Sequence, residues 1–122
     1  MSHTLTGGDA DDAQTDARDA AREDTLDAYF TVLSNQRRRL ALDCLQEYET
    51  PIALADLADE VAVREYDSPV TEIPAEEVKE IYVSLYHVHV PRLEDAGLAE
   101  YDQDDDLVTL LEDGQELIEA VP

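Results

Sequence analysis

The stretch PAEEVKEIYVSLYHVHVPRLEDAGL, residues 74–98, decides the fold. Val78, Ile81, Tyr82, Leu85, Val88 and His89 recur three and four residues apart, and the pattern runs on to Leu93. That spacing predicts one long amphipathic helix, about residues 74–96, with these side chains on its core face. Pro74 fits its first turn, and Gly97 supplies the residue just past its end. Pro91 lies inside the pattern without an amide donor, so a kink is expected near residues 87–91.

Downstream, Leu98 to Tyr101 and Leu107 to Leu110 flank the acidic turn Asp102-Gln103-Asp104-Asp105-Asp106, which reads as a β-hairpin. A last helix, about residues 112–120, is expected to pack Leu117, Ile118 and Val121. Upstream, Asp67-Ser68-Pro69 begins a loop, and Leu54, Leu57, Ala58 and Val61 mark a short helix. Its cap position, Ala53, offers no side-chain acceptor. Ile52 to Leu54 can hold one short extended segment, after Thr50-Pro51 ends the preceding helix. That helix begins at Gln36 behind a Ser34-Asn35 cap and buries the stripe Leu40, Cys44, Leu45 and Tyr48. The lone cysteine, Cys44, is then a small core residue. The first helix starts near Asp24 with Leu26, Tyr29, Phe30 and Leu33 at helical spacing. Helix, helix, short strand, helix, long helix, hairpin, helix is the order of a winged helix-turn-helix domain, mainly α with a small β-hairpin wing. Residues 54–64 would be the first helix of the motif, 74–96 the recognition helix and 98–110 the wing. The domain would span residues 25–121.

Residues 1–24 hold almost no bulky apolar group to offset ordering entropy, so they read as an acidic, disordered, solvated tail. The chain has 122 residues, 31 acids against 8 Lys and Arg, and a net charge of −23. Its length suits one small domain. No apolar run reaches membrane-spanning length, and the first residues lack the order of a signal peptide, so a cytoplasmic protein without membrane contact is expected. A single cysteine excludes an intramolecular disulfide. The acids are spread along the chain, and Lys79 is the only lysine. Such a surface repels itself in dilute buffer, whereas at molar salt the Debye length falls to roughly 3 Å. The composition points to a halophilic organism, a haloarchaeon; an acidic mesophilic protein is the alternative.

Several segments carry a family resemblance. Leu33-Ser34-Asn35-Gln36-Arg37-Arg38-Arg39-Leu40 resembles the entry to the second helix of ArsR-like regulators, and Leu54-Ala55-Asp56-Leu57-Ala58 the start of their helix-turn-helix. Val90-Pro91-Arg92-Leu93-Glu94-Asp95-Ala96-Gly97-Leu98 is similar to the exit of their recognition helix. Leu110-Leu111-Glu112-Asp113-Gly114 resembles the segment after the wing, with Leu111 in place of the usual capping threonine. Tyr82-Val83-Ser84-Leu85-Tyr86-His87-Val88-His89-Val90-Pro91 and the Arg37-Arg38-Arg39 turn are similar to a haloarchaeal winged-helix family of uncharacterised function. The resemblance covers about residues 25–120 and implies a DNA-binding, transcription-regulating role.

The charges argue against that role. Lys79 and Arg92 face Glu76, Glu77, Glu80, Glu94 and Asp95 on the long helix, and the hairpin tip carries four Asp and no base. Phosphate neutralisation by Lys and Arg supplies most DNA affinity. Candidate DNA contacts are Arg37, Arg38, Arg39, Lys79, Tyr86 and His87. The three arginines either pair with nearby acids or touch phosphate. Val83, Tyr86 and Val90 form a second apolar stripe, read either as a dimer or partner face or as groove contacts. His87 and His89 lie two apart, about 200° around a helix, so they cannot share a metal ion. No metal site, cofactor or small-molecule ligand is evident. No nucleophile–base pair or glycine-rich phosphate loop is present, and the chain is not expected to be an enzyme. Two functions therefore compete. The first is a homodimeric transcriptional regulator that enters double-stranded DNA with helix 74–96. The second is a winged helix for dimerisation or protein–protein interaction that does not bind DNA.

Overall fold

Asn35 opens the second helix by accepting the Arg38 backbone N–H on its side-chain oxygen at 3.1 Å, as a cap at that position should. The structure, a computed structural model, describes residues 25–48 and 51–120. Its elements are α1 (25–33), α2 (Gln36–Glu47), β1 (Ile52–Ala53), α3 (Leu54–Tyr66), a 3-10 turn (Val70–Glu72) and α4 (Ala75–Ser84). A π-helical turn (Leu85–His89), α5 (Val90–Asp95), β2 (Ala99–Asp102), β3 (Leu107–Leu110) and α6 (Glu112–Ala120) follow. The fold is thus mainly helical with a small antiparallel sheet whose β2–β3 hairpin forms the wing. Residues up to Thr31 and residues from Val32 onward belong to separate units, and the second carries the fold that follows. In the first, Leu26 and Phe30 project one helical turn apart and are exposed. The expected tail, the helix start at Asp24 and Val121 lie outside the described residues.

The sheet order is β1-β3-β2, with Ile52 opposite Val108 and Tyr101 opposite the same residue from the other side. This pairing solves the missing cap of α3. Ala53 makes no side-chain hydrogen bond; instead the Asp106 carbonyl of the wing turn accepts the Leu54 N–H at 3.0 Å. The wing is therefore tied to the first helix of the motif by backbone.

The core gathers Leu42, Leu45, Leu54, Leu57, Val61, Ile81, Leu85, Leu93, Leu98 and Val108, all essentially inaccessible. Cys44 is fully buried among them, and burial pushes its thiol up to about 11. It is an inert apolar filler, as its place on the stripe implied. Leu40 is only half-buried and Tyr48 is exposed, so the α2 stripe is narrower than its spacing suggested. Tyr48 instead donates its hydroxyl to Glu60.

The long helix is continuous from Ala75 to Asp95 but not uniform. Ser84, Leu85, His89 and Val90 all keep right-handed helical dihedrals, while the Val90 N–H reaches back five residues to the Leu85 carbonyl. Pro91 explains this widening: it cannot donate to His87, and its ring needs clearance from that carbonyl. The expected kink is thus a π-turn placed just before the proline. One inserted residue rotates everything after it by about 100°. Core positions that a straight helix would give to 88 and 89 fall on His89 and Val90. Val88, expected inside, is 42% exposed, and Val90, expected outside, is 1% exposed.

The helix ends as its sequence requires. Gly97 adopts φ 73°, its N–H goes to Glu94, and the Leu98 N–H returns to Leu93 at 2.9 Å. The two leucines are buried, which completes a Schellman ending. Helix α6 begins at Glu112 without the threonine expected there. The Leu111 N–H donates to the Leu98 carbonyl, the Leu111 carbonyl accepts from Gln115, and Glu112 and Asp113 place negative charge on the first turn.

Candidate functional site

The basic residues singled out in the sequence divide into those used inside and those left outside. Arg37 forks onto Glu65 of α3, Nε to Oε2 at 2.6 Å and Nη2 to Oε1 at 2.8 Å. Its third arm, Nη1, donates to Ser84 Oγ of α4 at 2.9 Å, and that hydroxyl donates onward to the Ile81 carbonyl. The hydrogen bond to Glu65 holds the guanidinium above its ordinary pKa, against the opposing effect of burial. One side chain therefore clasps three helices.

Arg38 is only 7% exposed, which overturns its placement as a surface contact for DNA. Its Nε donates to the Val32 carbonyl at 3.1 Å, and its Nη1 lies 3.4 Å from Nδ1 of His89 on the π-turn. Burial and the neighbouring Arg92 charge lower its pKa. A sequence signal for this exists. Arg38 precedes Ala41, Leu42 and Leu45 at three, four and seven residues, on the buried face of α2. Arg39 is exposed, and its guanidinium reaches the Leu33 carbonyl beside a cavity of about 360 Å³ lined by Leu33, Leu40, Leu42 and Ile118.

His89 is the buried histidine that its core position implied. Burial first, then the Arg38 and Arg37 charges, push its imidazole down to about 4 from 6.5. As pH falls below 6.5 the unfolded chain binds a proton that the folded chain resists, so stability is lost progressively towards pH 4. The expected result is that the wild type loses stability relative to His89→Gln between about pH 7.5 and about pH 5, in urea titrations at fixed salt. Parallel pH profiles for the two proteins would remove this assignment.

The outer side of the long helix presents Glu76, Lys79, Glu80, Val83 and His87, all exposed, with Val88 beside them on the π-turn. Val83 is 43% exposed, while Val90 has left this face altogether, so the proposed dimer stripe loses its third member and acquires Val88. Tyr86 is half-buried against the wing. Its ring meets Tyr101 edge-on with centroids 6.0 Å apart, and its hydroxyl accepts from Gln103 Nε2 at 3.2 Å. Tyr101 donates its hydroxyl to Asp106, and the backbone N–H groups of Asp104 and Asp105 turn onto Asp102 Oδ1. These contacts fix an acidic wing tip next to the helix. Among the described residues no group of His, Cys, Asp and Glu has the arrangement to hold a metal.

A second feature lies where α3 and α4 diverge. Ala58, Ile73, Val78 and Tyr82 floor a groove of about 510 Å³, with Asp59 on one wall and Lys79 on the other. Sequence reasoning missed it because its walls come from segments some twenty residues apart; the only local trace is the alanine pair Ala55 and Ala58.

Fold and site define a small helix-turn-helix-shaped domain with a hairpin wing, an inward-turned arginine pair and an acidic outer face. Residues 30–109 match the family described as Domain of unknown function (DUF7344), and the chain belongs to that family. No curated protein matches the chain, and no solved structure does.

Proposed function

We propose that this domain is a winged helix for protein–protein interaction, docking a partner or a second copy without gripping DNA. The observation that carries the reading is the fate of the charges. Arg37 and Arg38 are spent on Glu65, Ser84, Val32 and His89, while the surface that would meet phosphate shows Glu76, Glu80 and the Asp-rich wing tip. Bringing carboxylates against a polyanion costs free energy at any salt, and molar salt also weakens the counterion release that drives DNA binding. Val83 and Val88 offer apolar surface suited to a homodimer contact.

The second reading, a DNA-binding transcriptional regulator, draws on the element order, which sets Lys79 and His87 on the outer side of the helix after the turn. Anisotropy titrations with duplex genomic fragments, run beside an Arg39→Ala/Lys79→Ala variant, separate the two. The interaction reading expects no binding that the variant alters. Saturable binding that this variant abolishes would favour the regulator.

The same proposal places the chain in the cytoplasm of a halophile. Among the described residues, no helix is long and apolar enough to cross a membrane, and 31 acids meet only eight Lys and Arg. Thermal melts should then rise steeply between about 0.1 M and about 3 M KCl as screening removes self-repulsion. Equal midpoints at the two salts would remove the halophile assignment.

A further inference from the structure

We propose that the groove between α3 and α4 docks a basic amphipathic helix of a partner protein, seating its apolar residues on Ala58, Ile73, Val78 and Tyr82 and its Lys or Arg side chains against Asp59 and the wing tip. This rests on the protein-interaction reading and names the partner's chemistry.

The floor is apolar, and the small side chains of Ala55 and Ala75 at its mouth let another backbone approach. Apolar floor ringed by charge is the usual build of a helix-in-groove interface. The ring is unequal. Asp59 lines the groove without a cation partner among the described residues, next to the carboxylates of Asp56 and Glu60. Burial and those two neighbours hold its carboxyl above the usual carboxylate range, so an incoming cation would relieve an existing strain. The wing adds to this edge, because the Asp106 carbonyl caps α3 one residue before groove-lining Ala55. Its neighbours Asp102, Asp104 and Asp105 are exposed. A second copy of this chain would set carboxylate against carboxylate here, as would a nucleic acid. A basic partner is the complement. On the opposite wall stands Lys79, exposed, which matches a neutral or acidic position on that side of the docked helix.

The test uses the full chain with labelled methyl groups and three synthetic peptides: a Leu/Arg amphipathic helix, a Gly/Arg peptide of equal charge, and a Leu/Glu helix. The Leu/Arg helix is expected to shift the methyl resonances of Ala55, Ala58 and Val78, and the Gly/Arg peptide to leave them in place. Asp59→Arg should weaken the Leu/Arg helix about tenfold, and Lys79→Glu should tighten it several-fold, since Lys79 is exposed, Asp59 is half-buried on the groove wall, and the changes act through charge. Equal affinity for Asp59→Arg, shifts confined to other faces, or preference for the Leu/Glu helix would each overturn the proposal. Those outcomes leave the broader interaction reading standing, because that reading is tested by duplex DNA binding and not by these peptides.

Discussion

Arg38→Ala is expected to cost about 2–4 kcal/mol of stability, far more than a surface arginine is worth. The side chain is 7% exposed, and its Nε serves the Val32 carbonyl in a place water does not readily reach. Alanine leaves that acceptor with only the longer bond from the Asn35 N–H at 3.5 Å, unpins His89 on the π-turn and leaves the volume of the aliphatic stem unfilled. For a domain of this size the loss should lower the melting temperature by roughly 10–20 °C. Arg39→Ala, at the next position but exposed, should stay within about 0.5 kcal/mol. Arg37→Ala should fall between them at about 1–3 kcal/mol, because it frees Glu65 at a half-buried site. Urea titrations of the three variants at one salt concentration check the order. Three equal, small effects would return the whole cluster to the surface and restore it as a candidate phosphate contact.

The second large effect is expected at Gly114, where a methyl group has no room. In a helix, alanine ordinarily gains about 1 kcal/mol over glycine. Here a Cβ would lie 2.3 Å from the Leu98 carbonyl oxygen and 2.6 Å from Leu110 Cδ1. The leucine side chain can yield, but the carbonyl is fixed by the hydrogen bond it accepts from the Leu111 N–H. Gly114→Ala should therefore destabilise by about 2–3 kcal/mol, the opposite sign to its propensity. The position reports how closely α6 crosses the start of β2. A neutral or stabilising result in thermal or urea unfolding would mean that α6 sits farther from the hairpin.

Asn35 and Gly97 were legible because a cap and a helix ending are local acts: each is decided by backbone groups within a few residues. The long helix was legible through its apolar period, and so was the hairpin from its two short runs on either side of an acidic turn. The phase beyond Leu85 was not. Pro91 announced a disturbance, but whether the helix bends or takes in an extra residue depends on what the turn packs against. That choice moved Val90 inward and Val88 outward. Arg38 was misplaced for a different reason. Charge type suggested surface, while its position ahead of Ala41, Leu42 and Leu45 pointed to the interior. Position prevailed because Val32 and His89 could satisfy the guanidinium. The groove was invisible, since Asp59 and Lys79 become neighbours only when α3 and α4 pack.

Under the proposed function, outward-facing carboxylates, not an unsuitable shape, keep this helix-turn-helix from DNA. A wing-tip reversal addresses it directly: Asp104→Lys/Asp105→Lys changes two exposed residues that join the turn's hydrogen bonds through their backbone N–H groups. Duplex DNA titrated against wild type and variant in about 0.2 M KCl should give no measurable binding for the first. The second should bind with an affinity that falls as salt rises. Wild-type binding as tight as that of the variant would contradict the claim.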